Sequence, residues 1–386
     1  MICMNVCFMC GNKKFESVFV ASKLKVFSSL KKKSFSMGAN FDAQLWRCMR
    51  CGFVQQRVNR GLKKFLTDFY KNPDSFPTLP PGESDFGDAV TDRYMQFLTQ
   101  FMHKAPKKIL EIGCYDGYFL SQLQKKFQAE AFGIEISPQK NTAHNITIYN
   151  DYYPSSATTN KSFDLVVLLN VLEHVFDPHA FMQAVKNNTS NEGVILIGIP
   201  QYETSLKAGA PFYLHQHISY FTPKTFKMFL FKLGLEVKGL QVEKEGLLCL
   251  CQKSQPPTTP KTIDVDNSSK CYAQYFQRLV DKFRSLTSMP GKKVGLYGAC
   301  NVTHNLLQIC QMFDGIHIYD GDTRKQKKYM SDINEPVSSW EEIDRKKLDT
   351  LIIMPLAFTE EIYTFLSNRN LKTKIIKLFD NDFMFG

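Results

Sequence analysis

Two cysteine pairs, Cys7-x2-Cys10-Gly11 and Cys48-x2-Cys51-Gly52, limit the chemistry of this chain most narrowly. A CxxC turn followed by glycine points two thiolates at one ion, and two such turns complete a tetrahedral four-cysteine site of the kind Zn2+ favours. Cys3 fits that geometry less well, and the gap from Cys10 to Cys48 exceeds common ribbon spacing. The alternative is a redox thiol pair, but neither turn has a thioredoxin-like context. With no histidine among the ligands and no open position, the site reads as structural.

A second group of residues suits a nucleoside-type ligand. ILEIGCYDGYFLSQL (109–123) ends a strand at Glu111 and turns through Gly113 and Gly117 into a helix near Tyr118. Such a turn lets backbone approach a ligand at the C-terminal edge of a first strand, although it lacks the dinucleotide pattern G-x-G-x-x-G. Glu135 closes the next strand, where a carboxylate accepts both hydroxyls of a ribose. Asn150 and Asp151 follow the predicted third strand, and Asn170, Glu173 and His174 follow the fourth, facing the same crevice. FYLHQHISYFTP (212–223) then packs His215, His217 and Tyr220 into six residues. His217 is the candidate base or substrate-orienting group, because histidine alone changes charge near neutral pH when unperturbed.

These side chains need a rigid edge to stand on. KKILEIG (107–113), EAFGIEI (130–136), FDLVVLL (163–169) and GVILIGI (193–199) read as strands buried on both faces, hence parallel and covered by helices. KKVGLYG (292–298), GIHIYD (315–320), DTLIIMP (349–355) and TKIIKLF (373–379) repeat the pattern. The predicted fold is α/β: two Rossmann-like doubly wound domains preceded by a small four-cysteine zinc-binding module. The expected boundaries are 1–70 for the zinc module, 71–253 for the core with a substrate loop, 254–269 for a Pro-rich linker and 270–386 for the last domain.

The central segment resembles class I S-adenosylmethionine (SAM)-dependent methyltransferases through LEIGCYDG, GIEIS and LLNVLEHVFDP. The order of all segments resembles the nucleotide-sugar C-methyltransferases, through CFMCG, CMRCGFVQ, HQHISYF, GLYGACNVTHNLLQ and YDGDTRKQKKYM. That resemblance implies SAM as cofactor, held by Glu111, Gly113, Gly117, Glu135, Asn150, Asp151 and Asn170, and a structural Zn2+ on Cys7, Cys10, Cys48 and Cys51. It implies a nucleotide-linked keto-sugar as substrate, with Tyr70, Gln216 and Asp320 as contacts. His217 then removes a proton α to the carbonyl, and His174 or Tyr220 steadies the enolate, with His215 beside them. The family has an acidic residue between the two histidines and a tyrosine just before them; here stand Gln216 and Leu214. An O-methyltransferase acting on the sugar and a zinc-module rRNA methyltransferase are the alternatives. A bound NAD is a further reading of the last domain.

Charge and composition bound the remaining partners. Residues 1–64 carry 13 Lys/Arg against Glu16 and Asp42, which equals the whole net charge of +11. The surplus belongs to the cysteine module, and nucleic acid is not the expected partner. VVLLNVL (166–172) and VILIGI (194–199) are far shorter than the roughly 20 apolar residues that span a bilayer. Eleven scattered cysteines without a recognisable signal peptide argue against a disulfide framework, so a cytoplasmic location is expected.

Overall fold

The computed structural model describes residues 6–72, 85–137, 146–244, 246–254, 265–288 and 291–379. Cys3, most of the expected substrate loop and most of the linker lie outside them. Along the chain come β1 (Phe15–Lys25), β2 (Asn40–Cys48), β3 (Val54–Gln56), α1 (Arg60–Phe69) and α2 (Asp85–Phe101). Then follow β4 (Lys108–Ile112), α3 (Tyr118–Phe127), β5 (Glu130–Glu135), β6 (Thr147–Asn150), β7 (Phe163–Leu169), α4 (Pro178–Asn188) and β8 (Thr189–Pro200). Next are α5 (Glu203–Lys207), β9 (Ser219–Tyr220), α6 (Pro223–Lys232), β10 (Leu235–Val242) and β11 (Gly246–Lys253). The chain closes with α7 (Tyr272–Thr287), β12 (Val294–Tyr297), α8 (Asn301–Cys310), β13 (His317–Tyr319), β14 (Thr350–Ile353), α9 (Thr359–Ser367) and β15 (Lys374–Lys377).

Two compact units form, and they interleave along the chain. The first takes residues 1–15, 48–202 and 216–266; the second takes 16–47, 203–215 and 267–386. The stretch 16–47, which the sequence groups with the cysteines, therefore belongs to the second unit. Among the described residues no helix is long and apolar enough to cross a membrane.

The first unit is built on a seven-stranded sheet in the order β10-β11-β8-β7-β4-β5-β6. Counted within the sheet this is 3-2-1-4-5-7-6, a Rossmann order with one extra strand, β11, antiparallel to both of its neighbours. Strand period 2 divides the apolar residues between two faces. Leu110, Ile112, Val166, Leu168, Ile195 and Ile197 enter one core, while Ile109, Leu165, Val167 and Leu196 enter the other. Both cores are closed by helices, so the middle strands are mainly apolar, and Glu111 inside β4 is a buried departure from that rule. The second unit carries a parallel four-stranded sheet, β13-β12-β14-β15, with β1 and β2 side by side elsewhere in it.

Local signals set the helices that matter to the site. Asn59 caps α1 by accepting from Leu62 N at 2.8 Å, and Leu62, Leu66 and Phe69 form its buried face. Asp177 caps α4, whose first residue is Pro178, and Thr222 forms a reciprocal capping pair with Thr225 at α6. Tyr70 is the C-cap of α1, so the helix fixes where that residue stands. Asn59→Ala is expected to cost about 1 kcal/mol in a denaturant melt, as lost N-caps do.

Candidate functional site

The turn after β4 is forced to be glycine. Gly113 sits at φ +73° and Gly117 at φ +78°, where L-residues are strained. A Cβ at Gly113 would come within 2.6 Å of Val171 Cγ2, and one at Gly117 within 2.4 Å of Ile146 Cδ1. Beneath this turn the Glu111 carboxyl is buried, and its Oε2 has no hydrogen-bond partner among the described residues. Burial, followed by the charges of Asp116 and Glu135, holds Glu111 well above the usual carboxylate range. Glu135, at the end of β5, accepts from Tyr115 N at 2.9 Å and from Ser137 N at 2.9 Å and Oγ at 3.1 Å. A buried acid with one oxygen unpaired among the described residues, a turn without side chains at Gly113 and Gly117, and a carboxylate locked at the strand end fit a nucleoside with a cationic tail. Asn150 and Asp151 brace this edge: Asn150 Nδ2 donates to the carbonyls of Glu135 and Ile136, both at 2.9 Å, and Asp151 Oδ2 accepts from Ser155. Asn170 is exposed at φ +55°, its N–H donating to Gly198 O at 2.8 Å.

Just past β7 the first unit gathers a second set of side chains. The Gln216 carbonyl accepts from Tyr70 Oη at 2.9 Å and from His174 Nδ1 at 2.9 Å. A carbonyl only accepts, so Nδ1 of His174 carries the proton and Nε2 the lone pair of the neutral ring. The His174 and His217 rings meet edge to face, centroids 4.7 Å apart, and His217 Nδ1 hydrogen-bonds the Tyr202 hydroxyl. The Tyr220 ring lies tilted against Tyr202, centroids 4.7 Å apart, and Ile218 N donates to Glu173 O at 2.7 Å, tying the 216–220 segment to the turn after β7. Burial pushes His174 down to about 4 and His217 well below its ordinary value. Burial also raises Glu173 to about 8. Neutral imidazoles therefore line this pocket at pH 7. The tautomer corrects one expectation: His174 offers Nε2 as an acceptor, not as a donor to an enolate oxygen.

The structure separates His215 from this cluster. It belongs to the second unit, where its ring packs edge-on to Tyr213 and Nε2 donates to Phe41 O at 3.2 Å. Asp320 also lies in that unit: Oδ2 accepts from Ala299 N at 2.9 Å and Lys325 Nζ at 3.0 Å, and Oδ1 from Asp322 N at 2.9 Å. Tyr202 enters this cluster without having been singled out as a site residue, whereas Glu173 stands there as its place after the fourth strand suggested. Tyr202 gives no local signal, because its partner is 15 residues away across a turn.

The four predicted cysteines converge. Cys7 and Cys51 Sγ are 3.6 Å apart, Cys10 and Cys48 Sγ 3.5 Å, and all four lie within 4.8 Å of one another. A tetrahedron with Zn–S bonds of about 2.3 Å has edges of about 3.8 Å. Asn12 Nδ2 and Arg50 N both donate to Cys48 Sγ, the outer shell a thiolate ligand wants. Hydrogen bonds with Cys51 and Cys7 drive Cys48 below its ordinary value, and the Cys48 contact drives Cys7 and Cys51 up. Four thiolates need a cation to share this space, and the donor set fits Zn2+.

Comparisons with known proteins bear on the domain content of the chain. A family model described as "Methyltransferase domain" matches residues 86–239, and one described as "C-methyltransferase C-terminal domain" matches 268–376. The chain carries a methyltransferase domain. A ubiquinone biosynthesis O-methyltransferase of Glaesserella parasuis is 29% identical over 105 residues, 24% of this chain and 44% of the relative. The chain thus spans less than half the length of that curated relative. Among solved structures, the N-methyltransferase NodS of Bradyrhizobium japonicum, in complex with S-adenosyl-L-homocysteine, is 16% identical with TM-score 0.38. That match covers 50% of this chain and 99% of NodS. An S-adenosylmethionine-dependent methyltransferase of Clostridium acetobutylicum is 14% identical with TM-score 0.37, covering 51% and 100%.

Two outcomes follow from this geometry. The purified methyltransferase chain is expected to hold one Zn2+ per chain by elemental analysis, and Cys48→Ser to lose it together with several degrees of melting temperature. His215, held down at about 4, contributes stability that is complete above about 6.5 and lost as pH falls toward 4. Its share of the slope reaches about 1.4 kcal/mol per pH unit. Thermal melts between pH 7 and 4 should therefore fall less steeply in His215→Phe than in the parent.

Proposed function

We propose that this chain transfers a methyl group from SAM to a carbon α to the carbonyl of a nucleotide-linked keto-sugar. The observation that carries the reading is the hydrogen-bonded meeting of Tyr70, His174, Gln216, His217 and Tyr202 just past β7. The C-methyltransferase C-terminal domain match supports carbon as the acceptor. SAM supplies an electrophilic methyl group that needs only an aligned nucleophile.

Glu111, the Gly113–Gly117 turn and Glu135 hold the cofactor, Glu135 through the ribose hydroxyls. His217 keeps Nδ1–H on the Tyr202 oxygen and presents Nε2 as the base. A neutral ring at pH 7 is ready to take the α-proton, and the Tyr202 contact survives its protonation. Tyr220 supplies the donor for the enolate oxygen, and His174 Nε2 accepts from a sugar hydroxyl. Gln216, where the resembled family has an acid, orients the substrate without competing for the proton. The four-cysteine site takes a structural Zn2+.

The test is incubation with SAM and a panel of nucleotide keto-sugars in deuterated water, read by mass spectrometry. Solvent deuterium at the α-carbon and a methyl group on carbon are expected. His217→Ala should slow both by about 10²–10⁴, the usual worth of a general base, while S-adenosylhomocysteine binding stays within a few-fold. Methyl transfer by His217→Ala within a few-fold of the parent, or methyl only on oxygen, overturns the reading.

A further inference from the structure

Two groups of metal-ligating side chains gather among the described residues, and only one of them is the cysteine cluster. The other is Glu173, His174 and His217, whose ligand atoms all lie within 4.8 Å of one another. Glu173 Oε1 stands 3.7 Å from His174 Nε2. Ligand bonds of about 2.1 Å place tetrahedral neighbours about 3.4 Å apart, so the Glu173–His174 pair is already near that spacing and small side-chain rotations close the set.

The surroundings are those of ligands rather than of an ordinary core. Metal-binding histidines donate their second N–H to a carbonyl, carboxylate or other acceptor, which fixes the ring and its tautomer. His174 does so through Nδ1 to Gln216 O at 2.9 Å, and His217 Nδ1 is engaged by the Tyr202 hydroxyl. The other nitrogen of His174, Nε2, is the one that faces Glu173 Oε1. Glu173 is 1% exposed, and its Oε2 has no hydrogen-bond partner among the described residues. A buried carboxyl oxygen without a partner is costly, and a cation bound by two imidazoles relieves it. Two histidines and one carboxylate with open positions are the donor set of Zn2+, Co2+ and Fe2+ rather than of Mg2+ or Ca2+.

We propose that Glu173, His174 and His217 form a second transition-metal site, and that an ion bound there occupies the lone pair His217 needs as a base. The ion would then inhibit methyl transfer; this consequence rests on the function proposed above, whereas the site itself does not.

The experiment starts from full-length chain with its cysteine site loaded by one Zn2+ and titrates Co2+ by calorimetry and visible absorption. One further equivalent is expected, with ligand-field bands but no thiolate-to-cobalt charge transfer. Glu173→Gln and the half-buried His217→Gln should each weaken it at least tenfold, with cooperative melting of each variant confirming its fold. If Glu173→Gln does not fold, His217→Gln decides alone. No further equivalent, or affinity within twofold of the parent in the folded variants, overturns the site. Added Zn2+ should slow methyl transfer by the parent, and a mild chelator should restore it. Binding without that inhibition overturns the inhibitory role, and binding by a chain that never methylates overturns only the earlier reading.

Discussion

One backbone carbonyl organises the candidate site. Gln216 O accepts from Tyr70 at the end of α1 and from His174 after β7, so three distant stretches of chain meet on one acceptor. Because a carbonyl cannot donate, it also decides which nitrogen of His174 bears the proton. The backbone bond from Ile218 N to Glu173 O repeats the tie two residues on. Between them these bonds hold His217 against His174 and Tyr202, while burial keeps both imidazoles neutral. The main chain at position 216 positions Tyr70 and His174 whatever side chain stands there.

The two sheets solve the same problem in the same way. Glu135 ends β5 and accepts from Tyr115 N and from Ser137 N two residues on; Asp320 follows β13 and accepts from Ala299 N and from Asp322 N two residues on. Each acid pins the turn after the neighbouring strand. They differ in one respect that bears on ligands: Lys325 sits 3.0 Å from Asp320, so a ribose there must compete with an ion pair. The first sheet keeps its orphaned acid, Glu111, beside the crevice instead. Burial makes that arrangement expensive, and the proposed cofactor, bound there, would offset the cost.

Much of this was legible in the residues. The continuous apolar runs around Val166 and Ile195 announced strands covered on both faces, and the paired CxxC turns announced a single four-thiol cluster, because each signal is local and periodic. Glu135 was legible as well, since it follows the glycine turn at a spacing the fold dictates. What escaped was long-range. Tyr202 meets His217 only because the chain turns between them. The stretch 16–47 joins the second unit although it sits between two cysteine pairs of the first, since its burial pattern, not its place in the sequence, selects its partners. His215 and His217 read as one cluster, yet a turn at residues 215–216 sends them into different units.

The account depends on where the imidazole protons reside, and nitrogen-15 NMR of the histidine side chains in the full-length chain reads this directly. At pH 7 His174 and His217 are expected to be neutral, with Nδ1 protonated and Nε2 pyridine-like. An imidazolium at either position, or an Nε2–H tautomer of His174, would contradict the role assigned to the Gln216 carbonyl and the readiness of His217 to act as a base.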